Sequence, residues 1–255
     1  MNTAYASEGG ISIHLSAPVL GHFFGIPLTS TMITTWLTII LLTLFVVLFR
    51  SKLKMIPGKL QVIIELLIGG GYDYMAEALE SKDHAKRFFP LIMTIFIFIL
   101  ALNWIGLLPG VDAVGIFKSV HDTHTLVPFL HPANTDLNIT IGLAIVAFVS
   151  IELAGIAFLG IWKYGGKFIN FSSPLAFLIG IIELFSELAR LISFSFRLFG
   201  NIFAGKTLIV IAMFFVPFVL PIPILAFEMF VGLIQAFIFA VLTLFFIKLA
   251  IQEPH

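Results

Sequence analysis

Apolar residues in this chain fall into runs too long for a soluble core, and polar residues gather between them. Residues 31–49 form the first run, which stops at Arg50, Lys52 and Lys54. A second covers 88–108 and ends at a Leu-Pro-Gly turn, a third covers 137–161, and a last covers 224–251. Each reaches the roughly 20 residues needed to cross about 30 Å of hydrocarbon, and the last is too long to stand upright. Between the first two, KLQVIIELLIGGGYDYMAEALE mixes apolar and acidic residues at helical spacing, which predicts a helix lying in the membrane interface. From Pro174 to Pro217 no proline interrupts a helix-compatible stretch, so 175–216 is predicted as one long helix. At ~1.5 Å per residue it would be ~63 Å long, about twice the bilayer core, and must tilt, bend or run partly along the surface.

The predicted fold is an all-α integral membrane protein with five transmembrane helices plus an interfacial helix. Its last two spanning helices are long, tilted and hairpin-paired, since the connection VPFVLPIP is too short for anything else. The whole chain, 1–255, reads as a single membrane domain without internal repeats. Its parts are an outer N-terminal segment 1–30, a cytoplasmic loop with the interfacial helix at 50–87, and an outer loop at 109–136. Basic residues set this orientation. Segment 50–87 carries Arg50, Lys52, Lys54, Lys59, Lys82, Lys86 and Arg87; 109–136 carries only Lys118. Lys163 and Lys167 mark a second inner segment, so the N-terminus is expected outside and the C-terminus in the cytoplasm.

Composition strengthens this picture: 60% of residues are hydrophobic, well above the soluble norm of about 45–50%. No cysteine is present, which excludes disulfides and thiolate chemistry. The stretch MNTAYASEGGISIHLSAPVL lacks a basic region and a compact apolar core, and is not expected to be a cleaved signal. His121, His124 and His131 could in principle bind a metal, but no acidic cage accompanies them; a solvated outer loop and no metal are expected. His14 and His22 are read as interfacial, and His84 as part of the cytoplasmic loop.

Polar residues inside the long helix carry the chemistry. On a helical wheel Glu183, Ser186, Glu187, Arg190, Ser193, Arg197, Gly200, Asn201, Ala204 and Gly205 share one sector, while most of the opposite face is Leu, Ile, Phe and Val. Lys206 sits well off that sector and must look elsewhere. Ser195 and Gly205 are explained by helix packing, and Glu187 and Arg190 by a local ion pair or snorkelling. Arg197 is not: a charge inside the membrane costs at least about 2.5–3.5 kcal/mol, and arginine cannot escape by losing its proton. In an antiparallel hairpin, Arg197 falls level with Gln235, Asn201 with Gly232, and Lys206 with Glu228. An ion pair or proton-sharing pair is therefore expected between Lys206 and Glu228, with Arg197, Asn201 and Gln235 in a deeper polar layer. Glu152, mid-way along the third span, is left even between a path residue and a paired structural carboxylate.

RLFGNIFAG (197–205), IQAFIFAVLT (234–243), NWIGLLPG (103–110) and PANTDLNITIGLA (132–144) together resemble the a subunit of F-type rotary ATP synthase. The resemblance implies a non-catalytic stator subunit in a bacterial inner membrane, packed against a ring of c subunits. Arg197 would be the essential stator charge. Asn201, Lys206, Glu228, Gln235, Asn103, Asn134, Asp136 and Asn138 would belong to an outer half-channel, and Glu183, Ser186 and Ser193 to an inner one. Many members of that family carry a Glu/His combination where this chain has Lys206 and Glu228. The exchangeable proton is assigned here to Glu228 with Lys206 tuning it, the reverse assignment remaining open. No cofactor is implied; the translocated ion is H+, with Na+ left open. Implied partners are the c-subunit ring, the b-subunit peripheral stalk, other ATP synthase subunits and the lipid bilayer, with no nucleic acid. Two rival readings are a self-contained cation or proton transporter or channel, which lacks the expected repeats, and a structural anchor, which leaves Arg197 unexplained.

Overall fold

Residues 17–23, 25–120, 123–168, 173–217 and 219–252 are described by a computed structural model. The expectations for His14 and His121 lie outside these residues. Seven helices dominate the described residues: α1 (Ser30–Arg50), α2 (Lys59–Ala78), α3 (Lys82–Ile105), α4 (Leu137–Leu159), α5 (Ile161–Gly166), α6 (Pro174–Phe215) and α7 (Pro221–Ile251). Four of them, α1, α3, α4 and α7, are long and apolar enough to cross a membrane. The chain also forms strands that the sequence reading does not anticipate. β1 (Val19–Phe23) pairs antiparallel with β2 (Ile26–Thr29), and β3 (Pro109–Asp112) precedes a second hairpin of β4 (Gly115–Val120) and β5 (Thr123–Pro128). Segment 109–136 therefore has regular structure. Its residues include Ile116, Val120, Thr123, Thr125 and Val127, β-branched types that favour a pleated ribbon.

The described residues group into two compact units. One comprises residues 1–40, 100–139 and 197–235, the other 41–99, 140–196 and 236–255. Their interiors differ in chemistry.

In the first unit, α1 turns polar residues inward. Ser30, Thr31 and Thr34 are buried, while Trp36, Ile39 and Ile40 are exposed. That inversion suits a helix whose outer face meets lipid and whose inner face meets other helices. Thr34 also hydrogen-bonds the Ser30 carbonyl (3.0 Å), which satisfies its hydroxyl within the helix. The start of α4 is fixed by Asp136, whose Oδ1 accepts the Asn138 N–H (2.9 Å) in the manner of an N-cap. Its Oδ2 accepts the Thr31 hydroxyl (2.7 Å), tying that cap to α1. Gly106 lies so close to Pro132 that a side chain would meet the proline ring.

The second unit has an aromatic and aliphatic interior. Phe194 of α6 is 2% exposed, with its ring centroid 4.9 Å from Phe239 and 5.8 Å from Phe246 of α7. Thr140 and Ser195, both buried, bond to each other (3.2 Å). Arg87 covers the Phe158 ring at 4.9 Å, and Lys248 reaches Glu80 (2.7 Å).

Candidate functional site

Within the first unit, α6, α7, the end of α3 and the segment around β3 enclose a cavity of about 580 Å³. Asn103, Asp112, Lys206 and Glu228 are the polar side chains on its wall; the rest is largely aliphatic. Glu228 is 5% exposed. Its carboxyl group occupies the space that a side chain at Gly205 would fill, so that glycine serves the carboxyl group directly. The helix-packing role expected for Gly205 is thereby refined: what approaches closely is Glu228 itself.

The ion pair expected between Lys206 and Glu228 is not formed. The Lys206 ammonium lies 2.9 Å from Asp112 Oδ2 and 3.1–3.2 Å from the two ring nitrogens of His131. One residue of helix rotates a side chain by ~100°, and it is Gly205 rather than Lys206 that faces Glu228. His131 Nδ1 sits 2.5 Å from Asp112 Oδ1, completing a cluster in which one carboxylate faces two bases. His131 is 8% exposed, which overturns its assignment to a solvated loop. Burial pushes the Asp112 pKa up, but the hydrogen bond from His131 and the charges of His131 and Lys206 outweigh it; the carboxyl lies below the usual aspartate value. Neither Asp112 nor the partnership of His131 was legible from spacing. The one available signal was Lys206, placed off the polar stripe and in need of an anion.

The structure places the other residues that the resemblance assigns to an outer half-channel as follows. Asn103, 2% exposed, donates to the Gly232 carbonyl (2.9 Å) and accepts from Asn134 Nδ2 (2.6 Å). Trp104 donates to the Met229 carbonyl (3.1 Å), so the end of α3 holds two turns of α7. Asp136 and Asn138 are engaged with each other at the start of α4. Asn201 donates to the Arg197 carbonyl one turn earlier (2.9 Å). Gln235 Oε1 is buried and accepts no hydrogen bond among the described residues. Arg197 itself is half-buried on α6.

In the second unit the polar residues form an ion cluster. Lys167 bridges Glu183 (2.6 Å) and Glu187 (3.5 Å), and Arg190 pairs with Glu187 (2.7 Å) while covering the Phe246 ring at 3.9 Å. The local ion pair is thus the arrangement found for Glu187 and Arg190. Ser186 and Ser193 are exposed on α6. Glu152 lies in the field of Glu187, Lys167 and the Tyr164 hydroxyl. The Tyr164 ring packs where a Gly155 side chain would stand, one turn along α4 from Glu152. No cluster of three or more metal-ligating side chains occurs among the described residues.

The family model for ATP synthase A chain matches residues 32–248. An "ATP synthase subunit a" from Geotalea daltonii is 34% identical over 221 residues, covering 87% of each chain. Another from Moorella thermoacetica is 32% identical over 234 residues, covering 92% of this chain and 96% of the relative. A third, from Geobacter sulfurreducens, is 32% identical over 225 residues, covering 87% of each.

Proposed function

The chain belongs to the ATP synthase A chain family, and from that premise we propose that it is the stationary proton-channel subunit of the enzyme's membrane sector. Two offset polar half-channels meet at Arg197 and couple proton flow to rotation of a ring of c subunits. The observation that carries this reading is the cavity in which Glu228 lies against Gly205, on the same helix as Arg197. Eight residues separate Arg197 from Gly205, ~12 Å along α6, so a proton at Glu228 is close to the fixed cation without touching it.

The physical sequence is short. A ring carboxyl group arriving from lipid is protonated, because a bare charge there is costly. Opposite the inner route, past Ser193, Ser186 and Glu183, it releases its proton to the cytoplasm. Ionised, it is drawn to Arg197 across a poorly screening gap. It is reprotonated from the outer route, past Asn103, Glu228, Asn201 and Gln235, and returns to lipid. Arg197 separates the routes because a guanidinium keeps its protons. Each charge moved is worth about 2.3 kcal/mol per 100 mV, and that work turns the ring.

In this reading α6 is the fifth span, paired with α7 as a slanted hairpin whose exposed face, including Ser186, Ser193 and Ala204, meets the ring. The N-terminus is outside, the C-terminus cytoplasmic, and the membrane a bacterial inner membrane. The b-subunit stalk holds the chain still, and the ion is a proton. Arg197→Ala tests the proposal, with assembly followed by co-purification of the complex. The expected result is an assembled enzyme that hydrolyses ATP without pumping protons; normal coupled pumping overturns the mechanism.

A further inference from the structure

We propose that Asp112 and His131 are positioning residues of the outer proton path: they hold the Lys206 ammonium away from Glu228, so that Glu228 can both take and release a proton. The inference rests on the function proposed above. Lys206, Asp112 and Glu228 line one cavity, and lysine's flexible four-carbon stem allows its ammonium more than one anion there. It is found on Asp112, at 2.9 Å. Glu228 makes no ion pair among the described residues.

The holding cluster is built rather than incidental. Asp112 ends β3 at φ 69°, a left-handed conformation that aspartate adopts more readily than most side chains, two residues after Gly110 at φ 102°. Its N–H donates to the Leu130 carbonyl (3.1 Å), and the His131 N–H donates to Thr34 Oγ1 (3.1 Å), so both backbones are pinned. Lys206 Nζ is nearly equidistant from both His131 ring nitrogens. In the ring plane that position would collide with Cε1, so the ammonium must lie over the imidazole face. Asp112 thus takes His131 on one oxygen and Lys206 on the other. The remaining acid nearby, Asp136, is committed to Thr31 and Asn138.

The consequence for Glu228 follows from charge proximity. A cation within about 4–6 Å of a carboxyl group favours its ionised form by about 1–3 pH units. Lys206 paired with Glu228 would therefore hold it ionised at the pH where it must accept protons. Asp112 prevents this by offering the competing anion, and His131 fixes the direction in which the lysine lies.

The test uses the complete ATP synthase in liposomes with the outer face of this subunit toward the lumen. ATP synthesis is measured against lumenal pH at constant membrane potential. Asp112→Asn keeps the shape of the side chain but removes its charge. The pH midpoint of synthesis should then move about 1–3 units toward acid, and Lys206→Gln added to Asp112→Asn should reverse most of that movement. If Asp112→Asn fails to co-purify with the complex, His131→Gln carries the same test, with a smaller shift in the same direction. An unmoved midpoint overturns the inference, as does a lower maximal rate alone or a shift that persists in the double variant. Arg197→Ala in the same liposomes separates the two levels: coupled synthesis by that variant overturns the function, whereas its inactivity beside an unmoved midpoint overturns only the roles of Asp112 and His131.

Discussion

Gly205→Ala isolates the link between packing and proton handling. Its added methyl group would stand where the Glu228 carboxyl group lies. Overpacking a buried site costs roughly 1–3 kcal/mol, but here the displaced atoms are the end of a flexible side chain. Replacing glycine by alanine in a helix also returns about 1 kcal/mol. The net change in stability should be no more than about 2 kcal/mol, and the complex should assemble. Function should respond far more, because a reacting group misplaced by about 1 Å can lose ~100-fold in rate. The assay is ATP-driven proton pumping by inverted membrane vesicles, normalised to assembled complex. Glu228→Asp in the same chain withdraws one methylene, making room for the methyl group, and should recover part of the loss. Full pumping by assembled Gly205→Ala, or a double variant no better than the single one, refutes the claim that the glycine exists to seat this carboxyl group.

Asn103→Leu removes the acceptor for Asn134 Nδ2 and the donor to Gly232. A stranded buried donor costs roughly 1–3 kcal/mol, so the subunit should dissociate from the complex at a lower temperature; an unchanged profile contradicts the bridge from α3 to α7. The Asp112 carboxyl lies below its ordinary value in the folded chain, so its stabilising share is complete above the unfolded pKa near ~3.9 and fades as pH falls through the lower folded one. Hydrogen exchange around β3 should therefore stay slow from pH 7 to about 4.5 and quicken only below; quickening between pH 7 and 5 would show that protonation of a neighbouring group controls the segment instead.

What the sequence determined by itself is tied to spacing along single helices. Apolar runs matched to membrane thickness mark α1, α3, α4 and α7, because hydrocarbon rewards length and composition irrespective of partners. The polar sector of α6, including Arg197, follows from a fixed angle per residue, and so does the exclusion of Lys206 from it. Level matching along two helices paired Lys206 with Glu228 and missed by one residue, because matching depth says nothing of which way a side chain is rotated. Only the tertiary structure decided that. It set Gly205 against Glu228, and it brought Asp112 and His131, both outside the helices, to Lys206. A chain segment that turns through Gly110 and folds back by a β-hairpin can deliver an anion from almost any sequence distance. Helical periodicity speaks only to faces of one element, whereas the counter-ion of the partly buried Lys206 is settled by which carboxylate the chain brings within ~4 Å of it.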